Sequence, residues 1–145
     1  MTIKRRQARE WAVQMLTAAD LNPPEDVGEF IASHRLQLPT LEESEGAVEL
    51  KGKLMEFAES LVKGVLGSID EIDAILTPLL DNWDVYRLGT VERAVLRLGV
   101  WELKACDTPV PVVINEAIDL VNWYSSPKSR TLVNGVLDRY AKSVR

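Results

Sequence analysis

The sequence predicts an all-α protein, a bundle of about seven helices in two halves. Three observations carry this. Apolar residues recur at close to helical spacing through most of the chain. No segment alternates with period two for long enough to suggest a sheet. The 145 residues suit one domain, and a domain near that size buries roughly 68–70% of its unfolded surface, so it needs no disulfide or metal staple. A single domain over 1–145 is expected, with an N-terminal half of about 1–80 and a C-terminal half of about 81–145.

The elements follow in order. Ala8, Trp11, Ala12, Met15, Leu16 and Ala19 form one face of a first helix, which ends before the breaker Asn22-Pro23-Pro24. Val27 to His34 reads as a short helix, and 35–48, with Pro39, Thr40, Ser44 and Gly46, as a loop with a turn of helix. Leu54, Phe57, Ala58, Leu61, Val62, Val65, Leu66 and Ile69 make a cleaner stripe. Gly64 and Gly67 weaken it, since each glycine costs about 1 kcal/mol relative to alanine. A break near Gly67-Ser68 is expected, with Ser68 capping a helix that runs to about Leu80.

Thr90 then caps a helix whose Val91, Ala94, Val95, Leu98 and Trp101 face one way. Leu96, Val100 and Leu103 fall on its other sides, so it should be buried nearly all round. Asp107-Thr108-Pro109-Val110-Pro111 ends it. Val113, Ile114, Ala117, Ile118 and Val121 define the next helix, closing near Tyr124-Ser125. Ser126-Pro127 is a good N-cap and first-position pair for a last helix carrying Leu132, Val133, Val136, Leu137, Tyr140 and Val144.

Composition narrows the function classes. Cys106 is the only cysteine, which excludes an internal disulfide and points to a reducing, cytoplasmic setting. No apolar run approaches a membrane span, and the first residues do not form a signal peptide. His34 and Cys106 stand alone in kind, without the ligand cluster that zinc needs or the basic partner that a cysteine nucleophile needs. No enzyme activity and no cofactor is expected.

The net charge of −5 argues against nucleic acid until its distribution is read. Lys4, Arg5, Arg6 and Arg9 against Glu10 give residues 1–10 a balance of +3. Lys128, Arg130, Arg139, Lys142 and Arg145 against Asp138 give 128–145 a balance of +4, whereas 25–59 carries −6. Both ends are basic and the middle is acidic.

Four blocks, in order, carry a resemblance to a known family. They are Arg5-Arg6-Gln7-Ala8-Arg9-Glu10 with Ala12-Val13-Gln14 and Leu16; Leu88 through Arg97 with Glu102-Leu103; Pro109 through Ile118; and Val133-Asn134-Gly135-Val136-Leu137-Asp138. Together they resemble the NusB family of transcription antitermination factors, while 25–60 carries almost none of the signal. The resemblance implies a helical protein that binds boxA-like, single-stranded RNA jointly with the ribosomal protein NusE. It also implies action with other Nus factors on the RNA polymerase elongation complex, so that ribosomal RNA operons are read through. The same fold occurs fused to RNA methyltransferases, but this chain has no room for that second domain and no Gly-rich cofactor loop.

On that resemblance Lys4, Arg5, Arg6 and Arg9 are RNA-binding candidates: cations here release counterions from phosphates, and arginine also stacks on bases. At helical spacing Arg5 and Arg9 should stay off the apolar stripe and in water. The alternative is a solvated basic end. The loop before the last helix adds Tyr124, Lys128 and Arg130, with Tyr124 either stacking on a base or serving as a core-edge aromatic. Lys128 stands where the family tends to carry an acid, and Thr17 where it tends to carry an aromatic, so RNA preference is expected to differ. Glu92 is the candidate contact to NusE, although a glutamate in a first helical turn is also explained by the helix dipole. Asn115, Asn134 and Gly135 read as structural: amides serving buried backbone groups, and a glycine admitting a neighbouring helix. A self-associating homodimer that hides Arg5, Arg6 and Arg9 is the alternative function class.

Overall fold

The computed structural model describes residues 2–35, 47–81, 84–124 and 127–145, and the side chains of 2–4, 35, 47–51 and 123–124 fall outside that description. Among the described residues there are seven α-helices, one 3-10 turn and no strand. None of those helices is long and apolar enough to cross a membrane. The expected loop at 35–48 falls almost entirely outside the described residues, as does Ser126, the expected N-cap of the last helix. The chain forms two compact units, Met1–Leu66 and Gly67–Arg145.

The first unit holds α1 (Thr2–Leu21), α2 (Val27–Arg35) and α3 (Ala47–Leu66). The α1 stripe is buried as its spacing requires, with Ala8, Trp11, Ala12, Met15, Leu16 and Ala19 inside, and α1 packs along α3. From α3 come Leu54, Ala58, Leu61, Val62 and Val65. Each such large side chain removed from water contributes about 1.5–3 kcal/mol, which outweighs the local weakness that Gly64 brings to α3. The helix continues through Gly64 and turns at Gly67, so Ile69 belongs to the next element. Asp26 opens α2 by accepting the Glu29 N–H at 3.0 Å, which satisfies one of the orphan donors of a helix start.

The second unit holds α4 (Ile69–Leu79), a 3-10 turn (Val85–Arg87), α5 (Thr90–Ala105), α6 (Val110–Tyr124) and α7 (Pro127–Val144). The division after Leu66 places α4 with this unit, whereas the sequence put the boundary near residue 80. The physical reason is that α4 packs on α5 and α7, with Ile72 and Leu76 fully buried. Asp73 of α4 grips Arg97 of α5 with two hydrogen bonds, Nε to Oδ1 at 2.9 Å and Nη2 to Oδ2 at 2.8 Å.

As its all-round apolar character predicts, α5 is the central helix, buried from Arg93 to Val100 and again at Glu102 and Leu103. Two helix starts differ from expectation. Ser68 occupies the N-cap of α4 but makes no side-chain cap bond; its backbone oxygen accepts from Ile72 N at 2.8 Å. Gly89, not Thr90, is the N-cap of α5.

Gly99 admits a neighbouring helix, whereas Gly135 does not. A methyl group on Gly99 would stand 2.8 Å from both Cδ atoms of Leu137 on α7, while one on Gly135 would meet open space. Asn115 and Asn134 are exposed, so their amides do not serve the core as the sequence suggested. Val144 is also more exposed than its place in the α7 stripe implies. Arg145 closes the unit. Its guanidinium donates to the carbonyls of Leu103 and Glu102, each at 3.3 Å, and to those of Cys106 and Thr108.

Candidate nucleic-acid interface

In the first unit the candidate cations lie on the opening turns of α1. Arg5 is exposed and Arg6 half-buried, and the side chain of Lys4 lies outside the described residues. Arg9 departs from expectation: it is only 1% exposed. The cause is readable in the spacing, because Arg9 sits three residues before Ala12 and seven before Leu16, on the edge of the buried stripe. Compensation comes partly from α3. The ring of Phe57 receives the Arg5 guanidinium at 4.9 Å and that of Arg9 at 5.4 Å. Arg6 and Arg9 also take part in further contacts.

The arrangement divides the work between two arginines one helical turn apart. Arg9 has left water and braces the α1–α3 packing, while Arg5 stays at the surface with its guanidinium carbon over an aromatic ring. A guanidinium held over a ring still has N–H donors free of the ring, the groups that form paired hydrogen bonds to phosphate.

At the opposite end of α1 the surface has the wrong sign for phosphate. A cavity of about 610 Å³ opens there, lined among others by Pro23, Glu25, Asp26, Glu29, Phe30 and His34. His34 Nδ1 lies 3.0 Å from the Phe30 carbonyl and the two rings meet at a tilt of 48° with centroids 4.3 Å apart, so the histidine is tied to its own helix. The three carboxylates repel an RNA backbone.

In the second unit the first turn of α7 carries Lys128 and Arg130, both exposed, on either side of buried Ser129. Ser129 turns inward and donates to Glu92 Oε1 at 2.8 Å. That bond joins the start of α7 to the start of α5. Glu92 is half-buried, and its carboxylate folds back against Gly89, where a Cβ would lie 3.3 Å from Oε1. Glu92 therefore has a local role, holding two helix starts together at a dipole end that favours its charge. Tyr124 is the last residue of α6, and its side chain lies outside the described residues. The basic residues further along are engaged: Arg139 of α7 with Asp81 at 3.7 Å, Lys142 of α7 with Asp138 at 3.0 Å, and Arg145, just past α7, with carbonyls.

Sequence reasoning missed two of these residues. Phe57 reads as a stripe residue, though an aromatic on a helix that faces arginines is also a cation platform. Ser129 was passed over because its partner lies 37 residues away.

Comparison with known proteins returns one consistent answer. The model of the NusB family matches residues 6–142. The Transcription antitermination protein NusB of a Nitratiruptor species is 40% identical over 141 residues, covering 97% of this chain and 94% of that protein. The protein of the same name from Helicobacter pylori is 37% identical over 140 residues, covering 97% of this chain and 94% of its own length. Among solved structures, a crystal structure of the antitermination factors NusB and NusE in complex with dsRNA superimposes with a TM-score of 0.78. It is 32% identical and covers 99% of both chains. The relatives so named are transcription antitermination proteins.

Proposed function

The chain belongs to the NusB family, and from that premise we propose that it is a cytoplasmic transcription antitermination factor. In this reading it binds boxA-like RNA of ribosomal RNA operons together with NusE. With other Nus factors the complex then alters elongation by RNA polymerase. One observation supports the RNA step most directly: exposed Arg5, beside half-buried Arg6, lies at the start of α1 in a protein whose net charge is −5. Lys128 and Arg130 offer a second exposed pair on the first turn of α7. Exposed cations in these places attract phosphate; the acidic remainder steers RNA away from other surfaces. Glu92 would serve NusE from the start of α5, in addition to its bond to Ser129.

The test is an RNA titration with and without NusE at two salt concentrations, using single-stranded boxA-like RNA and a double-stranded RNA. Binding that strengthens with NusE and weakens steeply with salt supports the reading. Absence of RNA binding to the folded protein at low salt, with NusE present, sinks it. The burial of Arg9 takes one of the four arginine and lysine candidates on α1 off the surface and so weakens the RNA reading; the alternative is a self-associating interaction module. That reading requires a dimer in analytical ultracentrifugation together with absent RNA affinity.

A further inference from the structure

We propose that Phe57 is a positioning residue for RNA: its ring on α3 holds the Arg5 guanidinium edge-outward for a phosphate, with Arg9 fixing the ring's surroundings. The proposal rests on the RNA-binding reading above and adds to it a residue on a different helix. Arg5 is exposed, yet its guanidinium carbon sits 4.9 Å from the centre of the Phe57 ring. An unrestrained surface arginine samples many rotamers, and ordering it on phosphate costs conformational entropy. A guanidinium already stacked has lost much of that freedom before RNA arrives. Stacking engages the face of the plane and phosphate engages its edge, so the two contacts coexist.

Phe57 itself is well placed to stay still. It is half-buried on α3, between fully buried Ala58 and the stripe residue Leu54. The second guanidinium, Arg9, packs against the same ring at 5.4 Å and is 1% exposed. Arg9 is thereby removed from the list of direct phosphate ligands and becomes part of the support. A ring that was only core would carry no surface cation; this one carries a cation at the surface and another beneath it.

The test is a double-mutant cycle on the full chain, with NusE present and a labelled single-stranded boxA-like RNA as the probe. Helicity and thermal midpoint are checked for every variant. Phe57→Leu should weaken RNA binding about two- to fivefold, the span of an exposed cation–π contact. Phe57→Tyr, which keeps the aromatic face, should bind as the unsubstituted chain does. In an Arg5→Ala background Phe57→Leu should add no further loss. Equal losses in both backgrounds assign Phe57 a merely structural role and overturn the proposal, as does full affinity in Phe57→Leu. If Phe57→Leu does not fold, Arg5→Lys carries the test, since it keeps the charge and lacks the flat face; full affinity there overturns the proposal too. Failure of the unsubstituted chain to bind RNA at all overturns the RNA reading itself, whereas normal binding that ignores Phe57 overturns only this role.

Discussion

Arg5 and Arg9 are the same residue type one turn apart on α1, and the structure gives them opposite surroundings. Replacing Arg9 with alanine removes a buried cation and its packed stem, so we expect a loss of about 2–4 kcal/mol in urea-induced unfolding. RNA affinity of the remaining folded protein should fall less than in Arg5→Ala, since Arg9 acts on RNA only through its support of the Phe57 ring. Arg5→Ala should do the reverse, with stability within about 0.5 kcal/mol and weaker RNA binding. Equal stability of the two variants would mean that Arg9 does not brace the α1–α3 contact. Glu92 calls for a similar separation of roles. Glu92→Lys would break the Ser129 bond and set a cation at a helix N-terminus, so loss of NusE binding in that variant proves little. Glu92→Gln keeps an acceptor for Ser129 and removes only the charge. If the charge docks NusE, calorimetry should show about tenfold weaker partner binding at unchanged stability, corresponding to roughly 1.4 kcal/mol. The burial of Arg9 runs against the sequence reading, which places it in water. Its spacing to Ala12 and Leu16 puts it at the stripe's edge, and an edge position is decided by the neighbouring helix, which one helix's periodicity does not record. The Glu92–Ser129 bond was not legible either, since nothing local in either segment specifies a partner 37 residues away.

Helices were the most legible level, and their ends the least. The α1 stripe and the α3 stripe as far as Val65 match the buried faces because burial selects one face and 3.6-residue periodicity records that choice, while apolar residues on several sides mark α5 as the central helix. Caps depend on one or two residues with several equivalent solutions. Thr90 and Gly89 both suit a helix start, and the backbone puts the cap at Gly89, whose carbonyl accepts from Arg93 N at 2.9 Å. Glycines show the same limit, since a sequence marks where one stands without saying which helix passes over it. Here the difference has a measurable sign. Gly135→Ala enters open space within α7 and should stabilise the protein by up to about 1 kcal/mol through helix propensity. Gly99→Ala gains the same propensity but drives a methyl group into fully buried Leu137. Overpacking of this kind costs about 1–3 kcal/mol, so the net effect should be destabilising. Thermal unfolding of the two variants should move in opposite directions, and a raised midpoint for Gly99→Ala would show that the α5–α7 approach relaxes freely.

For the whole molecule, an acidic total with basic ends makes any RNA binding a contest between local attraction and general repulsion. Lys128→Asp changes the charge by two units at an exposed site, without touching the core. Binding to boxA-like and scrambled RNA should weaken by similar factors, of order 1 kcal/mol at low salt, because a phosphate contact carries no base information. Selective loss of boxA-like RNA would instead place Lys128 against a base. The Arg145 guanidinium has another consequence at this scale, visible in hydrogen exchange. It binds the last carbonyls of α5 from beyond the end of α7, so neither terminus can fray while the other stays closed. The Cys106 amide, bonded to Glu102 at 3.1 Å, and the amides closing α7 should therefore open together as one cooperative unit with a shared protection factor. Arg145→Ala should uncouple them, with α7 exchanging faster than Cys106. Unchanged, matching protection in that variant would show that packing alone ties the two ends together.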